Sequence, residues 1–292
     1  MVIKRRQFLK SSLAAGLAAW INPAVIFADG QASILPSQSN KPERPFKFSL
    51  GLASYTFRAF SLDQTIAMAK RLGLEKICLK DVHLPLTATA NGIKQATDKV
   101  RAAGLDLYAC GVVYMKKAEE VERAFAYART AGMRIIIASP NPELLPLIDQ
   151  KVKQTGLSLA IHNHGPGDKH YPTPAEAYKK IQKLDRRIGL CLDIGHTARA
   201  GIDPAEAAAK FADRLLDVHI KDVSAASSQG QTVEIGRGVI DIADFLRTLI
   251  RLDYSGVLAF EYEKDEKDPL PGLAESVGYV RGMLSAVLLF FS

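Results

Sequence analysis

From Phe46 onward the chain alternates short, nearly unbroken apolar runs with longer segments in which apolar residues recur every three or four positions. The short runs are Phe48–Phe57, Lys76–Val82, Leu105–Val113, Arg134–Ser139, Ser158–His164, Ile188–Ile194, Leu216–Val223 and Gly256–Tyr262. Their lengths suit strands, and continuous apolarity is what strands covered on both faces require. The segments between them, including Leu62–Leu72, Ala118–Ala131 and Pro204–Phe211, have helical period. Several end at a glycine that can adopt the left-handed cap: Gly73, Gly104, Gly132 and Gly156. Eight strand–helix units predict an α/β protein, a (β/α)8 TIM barrel. An open, doubly wound sheet is the competing arrangement, but no glycine-rich phosphate turn follows the first strand.

Two segments precede this pattern. Residues 1–28 combine a charged start (Lys4, Arg5, Arg6), an apolar run from Leu13 to Trp20 and small residues near Ala28, the three parts of an export signal. The string Lys4-Arg5-Arg6-Gln7-Phe8-Leu9-Lys10 resembles the twin-arginine address, which sends folded proteins across a membrane to the periplasm or beyond. The apolar run is well short of the ~20 residues a membrane span needs, so no stable insertion is expected once the signal is removed. Residues 29–45, with Pro36, Pro42 and Pro45 and no apolar period, read as a linker to a domain covering 46–292.

Charge then narrows the partners. Of 38 Lys and Arg residues, four lie in the signal, leaving 34 against 31 acidic residues in the rest of the chain. A nearly balanced domain lacks the basic surface that nucleic acid demands. Cys78, Cys110 and Cys191 each fall within an apolar strand and are read as buried thiols. Self-association is compatible with the composition, but no feature of the chain specifies it.

Active sites of such barrels form at the C-terminal ends of the strands. Four consecutive strands end in dense polar strings: His162-Asn163-His164, Asp193-Ile194-Gly195-His196, His219-Ile220-Lys221-Asp222 and Glu261-Tyr262-Glu263. Burying unpaired charge at these ends would cost several kcal/mol, and one shared cation would satisfy the groups together. Imidazole and carboxylate donors suit Mn, Co, Zn or Fe better than an all-oxygen shell. One divalent metal ion is therefore expected.

At these residues the sequence resembles the xylose isomerase-like TIM-barrel superfamily, which includes sugar isomerases and epimerases, inosose dehydratases and metal-dependent apurinic endonucleases. The most specific pieces are Cys191-Leu192-Asp193-Ile194-Gly195-His196, His219-Ile220-Lys221-Asp222, Gly236-Arg237-Gly238 and Phe260-Glu261, within a resemblance spanning Phe46 to Tyr279. It implies a metal held by side chains from the last four strands, with Asp193, His219 and Glu261 on three of the ligand positions. His162 stands at the fourth, where the keto-sugar epimerases carry a glutamate that also serves as one of two opposed bases.

The expected chemistry is proton abstraction beside a metal-polarised carbonyl, giving an enediolate. Glu261, His164, Lys80 and Glu263 are the candidate bases, and Lys80 and His83, following the second strand, are candidates to meet the substrate's oxyanion. The resemblance gives His196 a substrate-hydroxyl contact. Arg237, between two glycines, is expected to bind hydroxyls or an anion, and Tyr55 to stack on a sugar face. The leading expectation is a metal-dependent isomerase or epimerase acting on a small sugar or keto-sugar. The alternatives are a lyase or hydratase cleaving keto-sugars or 3-keto-glycosides, and an exported sugar-binding module without turnover.

Overall fold

The computed structural model describes residues 46–288; the export signal and linker expected over residues 1–45 lie outside them. Eight parallel strands close into a barrel: β1 (Ser49–Ala53), β2 (Lys76–Leu79), β3 (Asp106–Met115), β4 (Ile135–Pro140), β5 (Ser158–His162), β6 (Ile188–Asp193), β7 (Leu215–Ile220) and β8 (Val257–Phe260). Each strand pairs with its sequence neighbours, and β1 closes the ring on β8 with Ser49 opposite Val257. The expected (β/α)8 barrel is the architecture observed.

The surrounding helices start where short polar side chains can cap free backbone N–H groups. Before α1 (Leu62–Arg71), Ser61 accepts from Gln64 N while the Gln64 side chain accepts from Ser61 N, a reciprocal capping box. Thr89 caps α2 (Ala90–Ala102), and Thr173 caps α5 (Pro174–Ile181), whose first residue is a proline with no N–H to satisfy. α3 (Ala118–Ala131) and α4 (Leu145–Thr155) end at Gly132 and Gly156, with φ of 68° and 73°. The remaining units carry α6 (Ile194–Arg199), α7 (Pro204–Lys210), α8 (Ile242–Arg251) and α9 (Leu270–Leu288). None of the described helices is long and apolar enough to cross a membrane.

The core has two layers. A broad one lies between sheet and helices, while a narrow one fills the barrel interior with Ala53, Cys78, Tyr108, Ala109, Ile137, Ala160, Cys191 and Ala259. All three cysteines are buried and free. The interior also holds Asp217, which accepts from the Tyr108 hydroxyl at 3.2 and 3.3 Å and from Cys191 Sγ at 3.5 Å. Burial pushes its carboxyl up to about 7.

The strand ends depart from simple extension where they build the barrel mouth. The first apolar run leaves the sheet after Ala53 and coils into a short 3-10 turn over Ser54–Phe57. β3 shifts register between Cys110 and Val113, the bulge that aims a side chain at a barrel rim. After β7 the chain makes a small antiparallel pair, Asp222–Val223 with Thr232–Val233. Buried Asp222 then accepts from four backbone N–H groups: Gly236 and Gly238 at 3.0 Å each, Val223 at 2.8 Å and Ile240 at 3.2 Å. Replacing it strands donors that have no other partner. Asp222→Ala is expected to lower the unfolding free energy by about 3 kcal/mol in urea titration; a loss below about 1 kcal/mol would show that Asp222 does not hold this loop.

Candidate active site

The C-terminal ends of β5 to β8 stand side by side, so their last residues meet. His162 ends β5, Asp193 ends β6, His219 lies in β7 opposite Asp193, and Glu261 follows β8 directly. All four are buried, and one donor atom from each lies within 4.8 Å of every other. His162 Nε2 is 3.1 Å from His219 Nδ1, 3.3 Å from Asp193 Oδ2 and 4.0 Å from Glu261 Oε2; His219 Nδ1 is 3.2 Å from the same Glu261 oxygen. Bonds of about 2.1 Å to a central ion place tetrahedral donors roughly 3.4 Å apart. The four side chains therefore have the spacing and chemistry of a ligand sphere.

Electrostatics agree. Burial drives the His162 pKa down to about 3, leaving a neutral imidazole with a free lone pair. Burial also opposes protonation of His219, but Glu261 and Asp217 outweigh it and raise its pKa. Desolvation works against the Asp193 and Glu261 charges, yet Lys221 overcomes it and holds both carboxyls well below their usual range. Lys221, itself buried, lies 2.9 Å from Asp193 Oδ2, 2.7 Å from Glu261 Oε2 and 3.0 Å from Glu263 Oε2. Its contact with Asp193 is an ion pair without hydrogen-bond alignment, so Asp193 Oδ2 has no hydrogen-bond donor. His219 Nε2 is the other unpartnered atom here, facing Asp217 Oδ2 at 3.8 Å. Asp193 Oδ2, a buried acceptor without a donor that faces His162 Nε2 within the cluster, fits a cation better than a group of buried carboxylates and imidazoles alone.

Above the cluster opens a pocket of 210 Å³. His162, Glu261, His164 and His196 line one part of it, with Glu263, Tyr55, Lys80, Val112 and Tyr114 completing the wall. Tyr114 and His164 share a 3.0 Å hydrogen bond through the His164 Nε2. Lys80 Nζ donates to Val112 O at 2.6 Å, an oxygen presented by the β3 bulge. A larger, open depression of 660 Å³ is lined by Glu234, Asp265 and Glu275 among others, and contains none of the cluster residues.

The structure thus brings together His162, Asp193, His219, Glu261, His164, His196, Lys80 and Tyr55. It places two expected substrate contacts elsewhere. His83 turns inward: Nδ1 meets Ser54 Oγ at 2.9 Å, while Nε2 lies 3.0 Å from Thr65 Oγ1 and 3.1 Å from Phe57 O. It ties the 3-10 turn after β1 to α1, and burial lowers its pKa. Arg237 points outward because Asp222 holds the backbone on both sides of it; its guanidinium grips Glu275 at 2.6 and 2.7 Å on the surface.

Lys221 and Asp217 were not assigned a role from the sequence, although the signal was present. Asp217 and His219 alternate along β7 and so face the same side of the sheet, and Lys221 continues the alternation one residue past the strand end. Tyr114 could not be anticipated, because its entry into the pocket depends on the β3 bulge.

The profile described as xylose isomerase-like TIM barrel matches residues 57–283. Among curated proteins, the rhizopine catabolism protein MocC of Rhizobium meliloti is 27% identical over 149 residues, 44% of each chain. An inosose dehydratase of Geobacillus kaustophilus is 28% identical over 149 residues, 44% of this chain and 45% of that one. The alignments thus span under half the length of these two relatives. Among solved structures, the 3-keto-D-glucoside 4-epimerase of E. coli superposes with a TM-score of 0.67 at 17% identity, covering 81% of this chain and 100% of that one; at this identity the likeness concerns the fold.

The two displaced residues give opposite expectations. Arg237→Ala, which removes an exposed ion pair, should change stability by less than about 0.5 kcal/mol. His83→Ala, which strands the buried Thr65 hydroxyl and leaves Ser54 Oγ only the Lys80 N–H, should cost about 1–3 kcal/mol in chemical denaturation. An equal, small effect of both would contradict these placements.

Proposed function

Because the chain belongs to the xylose isomerase-like TIM barrel family, we propose that it is a sugar-transforming enzyme that works with one divalent ion held by His162, Asp193, His219 and Glu261. The observation that carries this reading is the two-imidazole, two-carboxylate cluster at the floor of a pocket sized for one small ring. The ion, of the Mn, Co, Zn or Fe type, would supply Lewis-acid stabilisation of negative charge on a substrate oxygen.

The chain's own groups would manage the proton. Burial lowers the His164 pKa, so its imidazole is neutral near pH 7 and able to accept one, with the Tyr114 hydroxyl orienting the ring. Glu261 is buried and engaged by both Lys221 and His219, whereas Glu263, which shares Lys221, is partly open to the pocket; this favours His164 and Glu263 as the groups facing substrate. They follow β5 and β8, three places apart around the ring, as proton exchange on two faces of one carbon requires. Lys80 offers N–H donors to a developing oxyanion, while His196 and Tyr55 bound the remaining wall. Isomerisation or epimerisation of a sugar or keto-sugar is thus the principal reading.

A lyase or dehydratase acting on a keto-sugar or 3-keto-glycoside is the second reading. What favours it is His162 itself, an imidazole with its pKa held near 3, where the resemblance puts a basic glutamate in the epimerases. Incubation of the metal-loaded enzyme with free sugars, keto-sugars and glycosides in deuterated water distinguishes the two. The principal reading expects products of unchanged mass apart from deuterium gained at carbon; loss of water or of an aglycone would replace it with the second. In either case Asp193→Ala should reduce metal affinity by at least about a hundredfold and abolish turnover. Full activity in a metal-free protein would overturn both.

We place this activity outside the cytoplasm, on the strength of the paired Arg5 and Arg6 ahead of the apolar run. Replacing both by lysine should leave the protein in the cytoplasmic fraction on cell fractionation. Unchanged export of that variant would refute the twin-arginine route.

A further inference from the structure

Lys221 is an unusual component for a cation-binding centre, since a fixed positive charge beside the ligands repels the ion they are meant to hold. Its ammonium contacts the two candidate carboxylate ligands through the same oxygens, Asp193 Oδ2 and Glu261 Oε2, that face His162. It also pairs with Glu263 on the pocket wall at 3.0 Å. The side chain is fully enclosed. Its stem passes over Gly195, where a Cβ would come within 2.4 Å of Lys221 Cγ and 2.6 Å of Cδ. Gly195 is therefore the residue that leaves the lysine its channel, and the enclosed stem gives the ammonium no path into solvent.

Three carboxylates touch this one ammonium. Counted together, they leave two negative charges uncompensated, those of Asp193 and Glu261 buried and that of Glu263 partly open to the pocket, and His162 and His219, which bind a metal only as neutral imidazoles, add none. A doubly charged ion closes that balance; a triply charged one leaves a buried surplus. Building on the metal-centre reading above, we propose that Lys221 is the charge-matching residue of the centre, a permanently seated cation that fits it to divalent over trivalent ions. Repulsion from Lys221 scales with ion charge, so it weakens a trivalent ion more than a divalent one. Attraction to Glu263 scales in the same way with the opposite sign. Lys221 thus acts as a positioning and specificity residue without touching substrate.

The test reads ion binding and needs no turnover. Full-length protein stripped with chelator is titrated with manganese chloride, followed by paramagnetic resonance, and with terbium chloride, followed by luminescence. Lys221→Met should shift the ratio of the two affinities at least about tenfold toward terbium, and Glu263→Gln at least about tenfold away from it. Opposite shifts are the discriminating result, because general loosening of the centre would move both variants the same way. Ratios within about threefold of wild type in both, or shifts of the same sign, would overturn the proposal. If Lys221→Met fails to fold, Glu263→Gln decides alone, by the sign and size of its shift. A wild-type protein that binds neither ion overturns the metal-centre reading together with this one, whereas normal, oppositely shifted ion binding with no sugar turned over leaves this inference standing and rejects only the sugar chemistry.

Discussion

The cost of taking charge out of water governs the mouth of this barrel. Asp193, His219, Lys221 and Glu261 all lie below 10% exposure at the ends of adjacent strands. None of them could stay ionised there without close partners. The partners are arranged in depth: Asp217 and Tyr108 below His219, Asn163 bracing the backbone at Asp193, and Glu263 above Lys221. Asn163 accepts from Asp193 N at 3.0 Å and donates to Asp193 O at 3.2 Å, so the strand end is fixed before its side chain is aimed. The parallel barrel makes this possible because register alone brings Asp193 level with His219.

Much of this was legible in the sequence, and for a definite reason. Strands covered on both faces must be apolar along their length, so a polar string at the end of such a run stands out, and four consecutive strands end this way. The barrel and the quartet His162, Asp193, His219 and Glu261 follow from that contrast. Illegible were the directions of side chains in segments that leave regular structure. His83 reads as a loop residue near the site, yet its inward turn depends on Ser54 and Thr65, which are distant in sequence. Arg237 reads as an anion binder between two glycines, yet Asp222 takes the surrounding N–H groups and turns the guanidinium to Glu275. Lys221 was hidden for a different reason. Lysine is ordinarily a surface residue, and only the space left by Gly195 lets one lie fully within the protein.

The same trade between burial and partnership explains why the interior below the site is chemically quiet. Burial raises the thiol pKa values of Cys78, Cys110 and Cys191, so each behaves as a small apolar side chain. The barrel interior is otherwise filled by alanines, Ile137, Val257 and Tyr108, whose hydroxyl meets Asp217.

The ring is also divided by labour. All four cluster residues come from β5 to β8, whereas β1 to β4 send only Tyr55, Lys80, Val112 and Tyr114 to the pocket wall. The half that would anchor an ion also lends His164, His196 and Glu263 to the pocket wall, whereas the other half contributes to the wall alone. Loops after the first four strands can lengthen, shorten or exchange aromatic residues without disturbing the charged floor. A scaffold divided in this way can change clientele while keeping its reactive chemistry constant, and the bulge in β3 is the hinge point at which such diversification would begin.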